Sequence, residues 1–200
     1  PMTASSHAPV LIDEAVRALA PRDNSVCVDG TLGGGGYTRA ILDAANVKVV
    51  AFDRDPTAIA RASEWAGAYG SRLQLINRPF AEIEEALAAH SIRKIDGAVF
   101  DLGVSSMQLD EGERGFSFRL DGPLSMRMDG GAPNAADVVN SAEARDLAKI
   151  FKAYGEEPRA NRIAKAIVAS RENGLIETTG RLAEIVRAAA PPPRNAKLHR

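Results

Sequence analysis

Residues 25–38 read Ser25-Val-Cys-Val-Asp29-Gly-Thr-Leu-Gly33-Gly-Gly-Gly36-Tyr-Thr38, and residues 49–55 read Val49-Val-Ala-Phe-Asp53-Arg-Asp55. Glycines carry no Cβ and tolerate φ > 0, so such a run lets the backbone pass close to a ligand. An acid closing the second apolar run is placed to accept hydrogen bonds from a ribose diol. Together they predict a pocket for an adenosine-containing molecule. A dinucleotide fingerprint wants G-x-G-x-x-G, but counted from Gly33 the third glycine falls on Thr38. No Gly-Lys-Ser/Thr follows either, so a P-loop is excluded and a nicotinamide oxidoreductase is disfavoured. The acid directly before the turn, Asp29-Gly30, fits a loop that wraps an amino-acid-bearing nucleoside. There Asp29 and the backbone would meet an ammonium and a carboxylate, as S-adenosylmethionine offers.

The elements that must hold these residues follow from the hydrophobic periodicity. Short apolar runs near 25–29, 47–53, 73–76 and 97–101 alternate with helical patterns after Gly36, from Pro56 and over 81–90. That alternation predicts a parallel α/β sheet with right-handed crossovers. Its ligands bind beyond the carboxyl ends of the strands. Asp29, glycines 33–36, Asp53, Phe80 and Asp101 all fall there, and the strand 97–101 is expected to be buried. Residues 102–134 carry glycines and charges with little periodicity, as in a functional loop. Helices are predicted near 141–153, 157–172 and 179–189, the last stopped by Pro191-Pro-Pro193. On the middle one Ile163, Ala164, Ile167 and Val168 share a face, with Arg159, Arg162 and Lys165 opposite.

With 45% apolar residues, 200 residues suffice for one core or a core plus a small appendage. The formal net charge of −1 shows no bulk preference for nucleic acid, but residues 149–200 hold 11 Lys and Arg against 5 Asp and Glu. A basic C-terminal quarter is what a localised phosphate-binding face, or a solvated helix surface, would look like. The single cysteine, Cys27, lies within an apolar strand and reads as an inert buried thiol. His7, His90 and His199 are too scattered to draw a metal cluster. No apolar run approaches the roughly 18 residues of a membrane span, and no signal-type N-terminus opens the chain, so a cytoplasmic protein is expected.

Further segments carry a resemblance. In order these are His7-Ala-Pro-Val-Leu11, Asp29-Gly-Thr-Leu-Gly-Gly-Gly-Gly-Tyr-Thr38, Phe52-Asp-Arg-Asp-Pro56 and Asp101-Leu-Gly-Val-Ser-Ser-Met-Gln-Leu-Asp110. They continue with Glu113-Arg-Gly-Phe-Ser-Phe118, Asp121-Gly-Pro-Leu124, Met126-Arg-Met-Asp129 and Tyr154-Gly-Glu-Glu157. The set closely resembles the ribosomal RNA small-subunit methyltransferase H family, also called MraW-like. Departures fall at Tyr37, Met107 and Ser125, where the family commonly has histidine, proline and an acid.

The resemblance implies transfer of a methyl group from S-adenosylmethionine to N4 of a cytosine in small-subunit rRNA, near the decoding site. It implies a class I methyltransferase (Rossmann-like) sheet interrupted by a helical insert, and a chain truncated inside that insert. The organisation expected is a cofactor-binding core at 1–105, an active-site and RNA loop at 106–134, and the insert at 135–200. Cofactor contacts carried over by position are Gly35, Gly36, Tyr37, Asp53, Phe80, Asp101 and Gln108. Asp101 is also a candidate catalytic acceptor, because amino-methyltransferases place an Asp or Asn at this slot, although Leu102-Gly103-Val104 lacks their Pro-Pro-aromatic continuation. Arg114, Phe116, Phe118, Arg127 and Met128 are candidates to wall a target base, and Arg159, Arg162 and Lys165 to meet RNA phosphates. A cofactor- or RNA-binding piece without turnover is the alternative.

Overall fold

The protein is described by a computed structural model over residues 11–191, apart from 118 and 132. The expectations for His7, Phe118, His199, residues 8–10 and Pro192-Pro193 lie outside the described residues. One compact unit ends at Met107 and a second begins at Gln108.

In the first unit, α1 (Ile12–Leu19) precedes β1 (Val26–Asp29), α2 (Gly36–Ala44), β2 (Lys48–Phe52), α3 (Pro56–Ala66), β3 (Leu73–Ile76), α4 (Ile83–Ala89) and β4 (Gly97–Val99). The four strands form one parallel sheet in the order β3-β2-β1-β4, with Cys27 opposite both Val49 and Gly97. Successive side chains on a strand point to opposite faces. Cys27, Val49 and Ala51 therefore join Ile41, Leu42 and Ala62 in one cluster, while Val28, Val50 and Phe52 join Ile76, Ala86 and Leu87 in another. Apolar residues on both strand faces are what a parallel sheet covered by helices on each side demands. Each fully buried Val or Phe here contributes about 1.5–3 kcal/mol relative to exposure.

The strand order sets where a ligand can sit. From β1 the chain steps outward to β2 and β3, then crosses back to place β4 on the other side of β1. The reversal opens a crevice at the carboxyl ends of β1 and β4. The expectation of a buried fourth strand over 97–101 is corrected here. β4 spans Gly97–Val99, and Phe100 beyond it is 43% exposed. The reason is position: among the described residues β4 pairs only with β1, so it is an edge strand. The expected helix at 81–90 is likewise shorter, because a 3₁₀ turn, Phe80–Glu82, precedes α4.

α5 (Ser106–Asp110) runs across the boundary, and with a 3₁₀ turn at Gly112–Arg114 in the second unit it breaks up the segment expected to be irregular. Then come α6 (Ala135–Ser141), α7 (Ala144–Gly155), α8 (Ala160–Arg171) and α9 (Thr179–Ala189) around Leu124, Leu147, Ile163, Ile167, Ile176 and Ile185. The helix expected at 141–153 is α7, which begins three residues later; α6, which precedes it and ends where Ala142 turns extended, is not among those expected from sequence. Asn134 and Asp137 form a capping box that starts α6. The Arg171 guanidinium donates to the Val139 and Ala142 carbonyls at 2.8 and 2.9 Å, satisfying the end of α6. Among the described residues, no helix is long and apolar enough to cross a membrane.

Candidate functional site

The glycine loop is held from below, from β2 and from β4. At the end of β1, Asp29 accepts from the Thr31 N–H at 3.0 Å, an Asx-type turn, and from the Thr38 hydroxyl at 2.7 Å. Its carboxyl is 0% exposed, and burial pushes its pKa up to about 6 against the pull of those hydrogen bonds. The expectation that Asp29 meets a ligand ammonium is therefore corrected. Its oxygens face inward and are engaged by Thr31 and Thr38, so it braces the turn.

On the β2 side, Asp53 uses one oxygen to accept from the Gly33 N–H and the other from the Asp55 N–H, both at 2.8 Å. Leu32 N–H donates to the Phe52 carbonyl at 2.8 Å, and the Asn77 amide to the Asp53 carbonyl at 2.8 Å. Asp55 in turn caps α3 through the Thr57 N–H and hydroxyl, with Pro56 in the first turn. The Asp53-Arg-Asp55-Pro56 motif thus orients one carboxylate and starts the next helix with the other. Burial raises the Asp53 pKa, opposed by the backbone donors of Asp55 and Gly33.

On the β4 side, the Gly30 N–H donates to the Val99 carbonyl at 2.9 Å and the Asp101 N–H to the Thr31 hydroxyl at 2.7 Å. Asp101 is exposed. Tyr37 is buried on the first turn of α2, and its phenol is pushed up by burial and then by the charges of Asp101 and Asp29. Phe80 is 45% exposed and meets Phe100 edge to face, with centroids 5.6 Å apart. Gly35, Gly36, Tyr37, Asp53, Phe80 and Asp101 therefore all lie in the first unit, at the carboxyl ends of its strands or on the loop and turns that follow them. Gln108 is buried on α5 and opens the second unit.

Several residues of the site were not singled out from sequence. Thr31 is legible as the partner of an Asp-x-Thr turn, but Thr38 lies nine positions from Asp29 and no local pattern marks it. Trp65 packs beneath Gly35, and the Arg39 guanidinium sits 4.4 Å from the Trp65 ring while donating to the Gly34 carbonyl at 2.9 Å. Gly35 caps α2 at φ 78°, and a Cβ there would lie 2.3 Å from Trp65 Cζ2. Gly35→Ala is expected to cost about 2–4 kcal/mol, combining left-handed strain with overpacking. Urea denaturation followed by Trp65 emission checks this, and an unchanged midpoint would contradict it.

In the second unit, the Arg114 guanidinium donates to the Met128 carbonyl at 3.0 Å and Arg127 pairs with Asp129 at 2.8 Å, so both cations tie down their own loop. On α8, Arg162 and Lys165 are exposed opposite the buried Ile163, Ala164 and Ile167. Arg159 departs from that expected row, because it pairs with Glu157 at 3.3 Å and donates to the Pro191 carbonyl at 2.7 Å. Among the described residues, no group of three or more His, Cys, Asp or Glu is arranged to hold a metal ion.

Comparison with known proteins adds the lineage. The profile of the MraW methylase family matches residues 4–200. The chain is 47% identical over 198 residues to the ribosomal RNA small subunit methyltransferase H of Maricaulis maris, covering 99% of this chain and 59% of that protein. It is 53% identical over 180 residues to the protein of the same name from Nitrobacter winogradskyi, covering 90% and 54%. A solved rRNA methylase from Streptococcus thermophilus overlaps 49% of this chain and 58% of its own at 27% identity, with a TM-score of 0.40, too low to bear on the fold. The chain therefore spans a little over half the length of these curated relatives. With a profile matched along almost its whole length and relatives about half identical, the chain belongs to the MraW methylase family.

Proposed function

We propose that the protein transfers a methyl group from S-adenosylmethionine to the N4 amine of a cytosine in small-subunit ribosomal RNA, near the decoding site, in the cytoplasm. The observation that carries the cofactor reading is the glycine loop tied at once to the ends of β2 and β4, through Gly33 to Asp53 and Thr31 to Asp101. The residues fit an adenosine-bearing sulfonium. Each Asp53 oxygen accepts one backbone N–H and keeps a further lone pair for a ribose hydroxyl. Space above Gly34 is open, and Asp53 and Asp101 set a negative field suited to a cation.

In this reading Gly35, Gly36 and Tyr37 line the loop side, Asp53 holds the ribose, and Phe80 offers a ring to the adenine. Asp101 completes the contacts of the first unit. The cofactor, when bound, supplies a methyl group made electrophilic by a sulfonium. The cytosine amine is a weak nucleophile because its lone pair is delocalised into the ring. Asp101 is the group to accept a hydrogen bond from that amine as charge develops on nitrogen. The division of labour proposed is cofactor binding by residues 1–105, target presentation by 106–134 and RNA docking by 135–200.

For RNA docking, Arg162 and Lys165 are the proposed phosphate contacts. Neutralising both to Ala is expected to weaken small-subunit binding and to flatten the log–log salt slope by about 1.5–2. An unchanged slope would remove them. The activity itself is tested by incubating the protein with small ribosomal subunits and methyl-labelled cofactor. Label on a cytosine N4 is expected, and label on another atom overturns the reading. The alternative is a cofactor- or RNA-binding protein without turnover. Cofactor binding without label transfer would select it.

A further inference from the structure

We infer that Phe100 is a positioning residue for the nucleoside end of this site, acting through Phe80 and seated by the missing Cβ of Gly30. The inference rests on the cofactor reading above and assigns a role to two residues that it leaves out. Gly30 is not in the left-handed region, so its backbone conformation does not demand glycine. What demands it is the Phe100 ring: a Cβ at Gly30 would lie 2.1 Å from Phe100 Cε1 and 2.3 Å from Cδ1. The ring thus lies directly on the first residue of the loop, where the Gly30 N–H continues the β1–β4 ladder to Val99.

From there Phe100 meets Phe80 edge to face, their planes 73° apart. Neither ring serves the core, since both stay more than 40% exposed while Phe52 is fully buried. Phe80 belongs to a three-residue 3₁₀ turn and to none of the buried clusters. A half-exposed ring on a short turn would lose side-chain freedom on stacking against a purine, which weakens binding. Edge-to-face contact is a favoured arrangement of aromatic pairs, so Phe100 holds the Phe80 plane before the ligand arrives. Two rings brought together over the β1/β4 crevice from the ends of β3 and β4 are suited to a flat aromatic base.

The test is calorimetric titration with S-adenosylhomocysteine, with a melting curve for every variant. Phe100→Ala is expected to weaken binding about tenfold, while Phe100→Tyr keeps it near wild type. Because Phe100 acts through Phe80, the double variant Phe80→Ala/Phe100→Ala should bind no more weakly than Phe80→Ala. Gly30→Ala should weaken binding by displacing the ring, and adding Phe100→Ala should cause no further loss. A merely structural role would give additive losses that track the melting temperature, and that result overturns the inference. So does a Phe100→Ala variant that binds as tightly as wild type. Absence of binding by the folded wild-type protein overturns the cofactor reading itself, and this inference with it.

Discussion

Asp53→Ala is expected to reduce the affinity for S-adenosylhomocysteine by about 10²–10³-fold, the largest binding effect of any single change in the first unit. Hydrogen bonds to a charged acceptor contribute about 1.5–3 kcal/mol each, and a ribose diol makes two. The carboxylate is oriented in advance by the N–H groups of Gly33 and Asp55, so little is lost in ordering it. Alanine removes the acceptor and also unties the loop from β2. The half-buried position lets water reach the freed N–H groups, so the variant is expected to stay folded. Asp53→Asn separates the two effects, since it keeps one acceptor oxygen and loses the charge. Its affinity should fall between wild type and Asp53→Ala. Calorimetry on samples shown to be folded decides the matter, and an Asp53→Ala variant that binds at wild-type strength would remove Asp53 from the site.

The second large effect is on stability and its dependence on pH. The Asp29 carboxyl holds its proton up to about pH 6 in the folded state, against an ordinary value of 3.8, because burial outweighs its hydrogen bonds. Between those values the native state binds more protons than the unfolded chain. Stability from this group is therefore fully present below about pH 4 and is lost as pH rises through about 6. At about 1.4 kcal/mol per unit, the loss over that interval is about 2–3 kcal/mol. Asp29→Asn should flatten this part of the profile: the Thr31 N–H keeps an acceptor oxygen and the Thr38 hydroxyl can rotate to accept from the amide. Asp29→Ala leaves the buried Thr38 hydroxyl and the part-buried Thr31 N–H without their acceptor and should destabilise by about 2–5 kcal/mol at every pH. Urea titrations at pH 4, 5, 6 and 7, read from Trp65, the sole tryptophan, report on the unit that contains the site. A wild-type profile that rises from pH 4 to 6, or one that Asp29→Asn leaves unaltered, would refute this account.

Cys27 is a buried thiol whose pKa is raised by burial, consistent with an inert core position. The Asp121-Gly-Pro segment reads in sequence as part of a family signature and turns out to be a clasp. The Asp121 carboxylate accepts from the Gly180 N–H at 2.7 Å, at the start of α9, and this bond above all lowers its pKa. Beside it, Leu124 N–H donates to the Glu177 carbonyl at 2.8 Å. No window of sequence around residue 121 discloses a partner 59 positions away.

The sequence by itself determined the features that depend on near neighbours. Short apolar runs set β1, β2 and β3, the glycine run set the turn before α2, and Asp55-Pro56 set the start of α3, because a strand's burial pattern, backbone freedom and helix capping act within a few residues. Tertiary structure decided burial and choice of partner. It closed Asp29 from solvent through Thr38, left β4 on an edge with Phe100 open, gave Arg159 to Pro191 and tied the end of α6 to Arg171. Each of these turns on which segment arrives from far along the chain, and a local pattern carries no record of that arrival.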